Sequence, residues 1–254
     1  MSGLLIERLH RDAILRLTLD APPGNILDIA MVRELGRAIA EGGRSPALKA
    51  IVFEGAGANF SFGASIEEHR PETVREMLSA FHDLFRALAR LDRTLLAVVH
   101  GQCLGGGMEL ACLCHRVFAH PKARFAQPEI NLGVFPPVAS VILPLRCGQA
   151  VADEVCLTGR SFTAREALTA RLIDEVASDP RRAAERWIRK HILPKSAASL
   201  VRAVRAARLR FNQALVADLV ETERIYLDDL MRTEDAKEGI EAFLEKRRPA
   251  WRDR

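Results

Sequence analysis

With 254 residues and 48% hydrophobic side chains, the chain can bury one large domain, or one domain with a helical appendage, and is too apolar for disorder. A net charge of +4, aromatics at 6% and no stacking motif beside the basic residues speak against nucleic-acid binding. No apolar run reaches the roughly 18 residues of a membrane span, and the charges in MSGLLIERLHRDAIL do not suit a secretory signal. A cytoplasmic protein with no membrane or nucleic-acid partner is expected.

Residues 4–20, LLIERLHRDAILRLTLD, alternate imperfectly and predict two hairpin strands, followed by a turn at APPGN. Leu27 to Glu41 carries apolar residues at helical spacing and closes on Gly42-Gly43. KAIVFEG (49–55) predicts a short buried strand running into the irregular GAGANFSFGAS. Residues 71–92 predict a long amphipathic helix opened by Pro71. LLAVVHG (95–101) predicts a second buried strand, then a glycine run, GQCLGGGMEL, and a short helix from 107. RVFAHPKARFAQPEINLG predicts short strands joined by a turn at Pro121-Lys122. From about Val138 onward the chain reads as helical. Thr163 can cap with Glu166 three residues on, and residues 196–231 and 234–247 predict two more helices. Strands alternating with helices, then helices alone, indicate an α/β core with a helical C-terminal part.

The five cysteines, Cys103, Cys112, Cys114, Cys147 and Cys156, include no C-x-x-C pair. Neither a disulfide framework nor a metal site is indicated; buried free thiols are expected, with Cys112 and Cys114 at helix core positions. The clustered bases, Arg202, Arg205, Arg208, Arg210 and Lys246-Arg247-Arg248, read as a solvated helix face or as a site for phosphate groups.

The glycine run lacks the Lys of a phosphate loop. Gly55-Ala-Gly57 begins a dinucleotide fingerprint, but Phe60 stands where its third glycine belongs. No G-x-S-x-G elbow exists. What remains is a strand, a turn and a helix N-terminus, whose N–H groups lack intrahelical partners and whose dipole is positive. That construction suits an oxyanion hole; tight strand–helix packing would use the same glycines. Glu129 lies twenty positions after Glu109, both in apolar surroundings, and a helix followed by a returning strand brings them together. Desolvated carboxyls side by side have raised pKa values and can share a proton; two unrelated surface or capping glutamates are the plainer alternative. The loop FSFGASIEEH (60–69) could supply a second backbone donor.

HGQCLGGGMELA, AQPEINLGVFP and TGRSFTAREALTARLIDEV together resemble the crotonase (enoyl-CoA hydratase/isomerase) superfamily, and the likeness extends to EDAKEGIEAFLEKRRPAW. The resemblance implies an α/β fold, a crotonase-like spiral of ββα units in residues 1–195, with a helical trimerisation region in 196–254 and a homotrimer or hexamer. It implies an acyl-CoA thioester substrate, so that coenzyme A enters with the substrate and no separate cofactor or metal is needed. Carried over by position, the oxyanion hole would be the N–H groups of Ala64 and Gly106, and the catalytic pair Glu109 and Glu129. In hydratases of the family both glutamates are present, and many of its isomerases, hydrolases and decarboxylases keep one or neither, so addition of water is the expected reaction. Two departures stand out: Ser65 where family members usually have Asp, and Pro136-Pro137-Val138-Ala139-Ser140 where the loop is often Gly-rich. Both resemble members that hydrate a cyclic dienoyl-CoA in anaerobic aromatic catabolism. Phe62, Ser65, Ile66, Phe135 and Pro137 are the candidate substrate-binding residues. His69 reads as a surface residue and Lys246–Arg248 as a candidate contact to the CoA phosphates. A linear enoyl-CoA hydratase or isomerase and a non-catalytic RNA-binding member of the fold are the alternatives.

Overall fold

The computed structural model describes residues 3–254. The N-terminal hairpin is present: β1 (Leu4–Leu9) pairs antiparallel with β2 (Ile14–Leu19). Then follow α1 (Ile29–Gly43), β3 (Ala50–Gly55), α2 (Val74–Arg90), β4 (Thr94–Val99), β5 (Gln102–Leu104) and α3 (Gly106–Leu113). Next come β6 (Arg116–Ala119), β7 (Arg124–Ala126), α4 (Pro137–Cys147), α5 (Gln149–Thr158), β8 (Phe162–Thr163) and α6 (Ala164–Thr169). The chain ends with β9 (Glu175–Val176), α7 (Pro180–His191), α8 (Ala197–Arg224) and α9 (Glu234–Leu244). Asp28 caps α1 through Met31 N, and Thr163 and Glu166 form the expected capping box on α6.

One sheet has the order β1-β2-β3-β4-β6-β9, parallel from β2 onward; the other has the order β5-β7-β8. Every residue of β3 and β4 is buried, which explains their continuous apolar runs in place of alternation. The repeating unit is a strand in the first sheet, a short strand in the second and a helix. Gly101, in the left-handed region at φ 58°, turns the chain from β4 in the first sheet to β5 in the second. A Cβ there would lie 2.0 Å from Ala58 O, so no other residue fits this corner. β6 and β7 flank Pro121-Lys122 as expected, but each joins a different sheet instead of pairing with the other. This is the crotonase-like ββα spiral.

The reading of residues after Val138 as wholly helical needs correction. β8 pairs antiparallel with β7, and β9 pairs parallel with β6. Each has two residues, too few to display a period of two. The helix expected over 196–231 also divides: α8 ends at Arg224, a π-helical turn spans Ile225–Asp229, and a 3-10 turn spans Leu230–Arg232. Ser196 caps α8, which packs against α4 and α2. Among the described residues no helix is long and apolar enough to cross a membrane.

Candidate active site

Two loops leave the first sheet side by side. The loop after β3 is fastened by Asn25, whose buried amide donates to the carbonyls of Ala56, Asn59 and Phe60. Ser61 continues the anchorage, with Oγ donating to Asn25 O at 2.8 Å and accepting from Gly63 N at 3.0 Å. Leu27 N donates to Gly63 O, and Leu104 N to Ser61 O, so the segment lies between the stretch before α1 and β5. Ala64 therefore sits beside the N-terminus of α3. A Cβ on Gly106 would lie 3.3 Å from Ala64 N and 2.7 Å from Phe81 Cζ. Neither Ala64 N nor Gly106 N donates a hydrogen bond to another described residue. Two free N–H groups thus stand together at the positive end of a helix.

Gly105 precedes that helix at φ 48° and ψ −128° and donates to Ala126 O at 2.9 Å. A Cβ there would lie 2.7 Å from Glu129 Oε1, so a side chain at Gly105 would displace the Glu129 carboxylate. The glycine run gives both a bare oxyanion-type turn and room for a carboxylate from another loop.

Glu109 lies in the first turn of α3 and is 3% exposed. Its Oε1 accepts from Ala139 N at 2.7 Å. Burial pushes its pKa up to about 7, against the opposing hydrogen bonds from Ala139 and Val138. These donors belong to the first turn of α4, where Pro136 holds the cap position and has no capping side chain. Glu109 thus supplies the acceptor that the local sequence lacks. Glu129 lies on a 3-10 turn, Pro128–Leu132, ended by Gly133. Its carboxyl is held well above the usual range, first by burial and then by the charge of Glu109. Oriented to satisfy its neighbours, the fully buried Gln127 amide donates to Glu129 Oε1 at 3.0 Å and Oε2 at 3.1 Å. The two carboxyls, both raised by burial and the second also by the charge of the first, can share a proton beside two unpaired N–H donors. Such a site can polarise a carbonyl and move protons to and from a neighbouring carbon.

A cleft of about 840 Å³ opens onto Ala64. Phe62, Ser65 and Ile66 line it on the side of the β3 loop, Leu132 at the 3-10 turn of Glu129, and Phe243 and Arg247 at the C-terminal end of the chain. Phe135 and Pro137 do not line this cleft. Phe135 is half-buried with its ring centroid 5.3 Å from that of Tyr226, and Pro137 is buried as the first residue of α4. His69 is half-buried, not a surface residue: Nδ1 donates to Ser65 O at 2.7 Å, and burial lowers its pKa, keeping it neutral. Of the basic tail, Arg247 reaches the cleft, held by Glu238. Arg205 pairs with Asp92, and Arg208 donates to Leu113 O, so these two serve packing of α8. All five cysteines are free, and burial pushes the thiols of Cys112 and Cys114 up to about 12.

Gln127 and the N–H of Ala139 escape sequence reasoning. A lone Gln before Pro-Glu carries no pattern, and a backbone N–H none at all.

The family model for enoyl-CoA hydratase/isomerase matches residues 10–254. A cyclohexa-1,5-dienecarbonyl-CoA hydratase from Thauera aromatica is 45% identical, over 97% of this chain and 96% of that protein. The 2,3-dehydroadipyl-CoA hydratase of Escherichia coli is 33% identical over the whole of both chains, 100% of each. The crystal structure of a carnitinyl-CoA hydratase from Mycobacterium avium superposes with a TM-score of 0.86 at 29% identity, covering 100% of both chains. With its two-sheet spiral and a family match over nearly its full length, the chain belongs to the enoyl-CoA hydratase/isomerase family of enzymes.

Proposed function

We propose that the protein adds water to cyclohexa-1,5-diene-1-carbonyl-CoA, giving 6-hydroxycyclohex-1-ene-1-carbonyl-CoA. The observation that carries hydration is the coupled pair Glu109 and Glu129 beside the free N–H groups of Ala64 and Gly106. The ring substrate rests on the 45% identity to the Thauera aromatica enzyme and on Ser65 and Pro136-Pro137.

The thioester oxygen accepts from Ala64 N–H and Gly106 N–H. The ionised member of the carboxyl pair takes a proton from water, and the water oxygen bonds to the β-carbon of the ring. The electron pair of the α,β double bond moves to the thioester oxygen as an enolate. It returns through the α-carbon, the second double bond moves inward, and its far carbon takes the proton held by the other carboxyl. One O–H bond of water and one C=C π bond have broken, one C–O and one C–H bond have formed, and the pair again holds one proton. Loss of one oxyanion donor typically costs about 3 kcal/mol of barrier, and acid–base assistance contributes roughly 10²–10⁴-fold. The addition changes no redox state, so neither a metal nor a redox cofactor is required. Phe62, Ser65 and Ile66 would meet the acyl or pantetheine part, and Arg247 the nucleotide phosphates. Phe135 and Pro137 would act on the ring through Tyr226 and the start of α4. A cytoplasmic homotrimer or hexamer built through residues 196–254 would cover apolar side chains such as Leu209 and Val220, which are exposed at 53% and 60%.

A linear enoyl-CoA substrate is the second reading, favoured by the 33% identity to the Escherichia coli enzyme. Comparing cyclohexa-1,5-diene-1-carbonyl-CoA with crotonyl-CoA decides between them, with mass spectrometry recording the gain of one water. A higher kcat/KM on crotonyl-CoA would overturn the ring assignment. Inertness toward both would overturn the hydratase.

A further inference from the structure

Tyr226 is the chain's only tyrosine. It is 1% exposed, yet its hydroxyl has no hydrogen-bond partner among the described residues. A buried, unsatisfied hydroxyl is destabilising, and phenylalanine would fill the same space without that cost. The residue sits on the π-helical turn Ile225–Asp229 that ends α8. One extra residue per turn rotates a side chain out of helical register, a device frequent at functional sites. The rotation places the ring among residues of the candidate active site. Its centroid is 5.3 Å from that of Phe135 and 6.4 Å from that of His69, whose Nδ1 holds Ser65 O. The same apolar cluster contains Ala64 and Ile66. Burial first, and then the charges of Glu129 and Glu109 that its hydroxyl senses, push its pKa upward and keep it a protonated donor.

We propose that Tyr226 is a third polar residue of the acyl site, its phenol O–H donating a hydrogen bond to the oxygen that is added to the acyl group. That oxygen is the attacking water before the reaction and the product hydroxyl after it. The proposal rests on the hydratase reading. It gives the site a neutral donor that fixes the water's orientation while one carboxylate accepts its proton. The phenol transfers no proton of its own.

Because the tyrosine is unique, protein labelled at tyrosine Cζ with carbon-13 gives one resonance. The expected result is that the ring product, 6-hydroxycyclohex-1-ene-1-carbonyl-CoA, moves this resonance, whereas cyclohex-1-ene-1-carbonyl-CoA, which lacks the hydroxyl, and free CoA move it far less. Tyr226→Phe should lower kcat for hydration about 10-fold to 100-fold, the loss of one hydrogen bond to a reacting oxygen. KM should stay unchanged and the melting temperature should hold or rise, since the lost hydroxyl holds nothing in the free protein and its unsatisfied burial is relieved. Binding of 6-hydroxycyclohex-1-ene-1-carbonyl-CoA without a selective shift, or wild-type kcat in Tyr226→Phe, overturns the proposal and leaves the hydratase reading intact. Failure of both acyl-CoAs to bind overturns the two together.

Discussion

Glu109 Oε1 accepts a hydrogen bond from Ala139 N at 2.7 Å, so the carboxyl proposed for proton transfer also caps a helix. Those two tasks oppose each other. Capping favours the charged form, and burial favours the neutral one; burial dominates, and the pKa rises from 4.5 to about 7. Because the folded pKa is raised, proton binding stabilises the fold. That contribution is complete below pH 4.5 and is lost as pH rises through about 7, an amount on the order of 3 kcal/mol.

Glu109→Gln should therefore be more stable than the wild type at pH 8 and similar to it at pH 4.5, because its amide cannot ionise and its carbonyl can still cap Ala139. Hydration should fall at least 10²-fold. Urea unfolding at the two pH values checks the stability; a mutant that is equally destabilised at both would contradict the assignment of burial as the cause.

The wild-type pH profile follows from the same pair. Below about pH 7 both carboxyls carry protons, no base remains, and kcat/KM should fall about tenfold per pH unit. At higher pH Glu129 ionises in turn and the acid is lost, giving a bell. The alkaline limb belongs to the pair, raised by burial and by the Glu109 charge. Glu129→Gln should remove that limb along with most activity. A profile flat from pH 5 to pH 9 would contradict the coupled pair.

Gly105→Ala tests why the turn is bare. Its φ of 48° disfavours any side chain, and the new Cβ would lie 2.7 Å from Glu129 Oε1. A stability loss of about 1–3 kcal/mol is expected from the backbone alone, with kcat reduced far more than the fold. Gly57→Ala is the control. Gly57 also has a positive φ, 71°, but a Cβ there meets nothing within 4 Å. It should be destabilised comparably and keep its kcat.

The glycine turn and both glutamates are legible in the sequence because their signal is local: strand, glycines, helix start, carboxylate. The element order through β4 is legible for the same reason. The division of β6 and β7 between sheets is not, since it depends on the corner at Gly101 and on pairing with distant strands. Pro136-Pro137 reads as a stiff loop beside the substrate, whereas the structure uses it to start α4 and present Ala139 N to Glu109. Tyr226 falls inside the helix expected over 196–231, because a π turn leaves no trace in a 3.6-residue period.

Arg146 supports the far end of α3. Its guanidinium donates to the carbonyls of Cys112, Cys114 and Leu172 and pairs with Asp174 at 2.8 Å, with only 10% of the side chain exposed. Arg146→Met removes the donor that these carbonyls share and leaves Asp174 Oδ2 with Val117 N alone, and should cost about 1–3 kcal/mol. Arg146→Lys should recover only part of this, since one ammonium cannot span the fork of acceptors. Thermal melts of both variants check it; full stability in Arg146→Met would show that α3 holds without its C-terminal clamp.

Gln127 is the last support of the pair, a fully buried amide donating to both oxygens of Glu129. Hydrogen bonds to the charged form of a carboxyl lower its pKa, so the amide holds down a value that burial and Glu109 push up. Gln127→Leu, close in volume and without a donor, should raise the Glu129 pKa further. The alkaline limb of kcat/KM should then move upward by about one pH unit, the scale of one hydrogen bond to a charge. The freed carboxyl should also lose orientation and kcat fall roughly 10-fold to 100-fold, as when an outer partner of a reacting group is removed. Gln127→Glu adds a third carboxyl to the pair and should move the limb upward as well, by like-charge repulsion. A downward shift in Gln127→Leu would mean that the amide presents its carbonyl, accepting from a protonated Glu129, and would reverse the donor and acceptor drawn here.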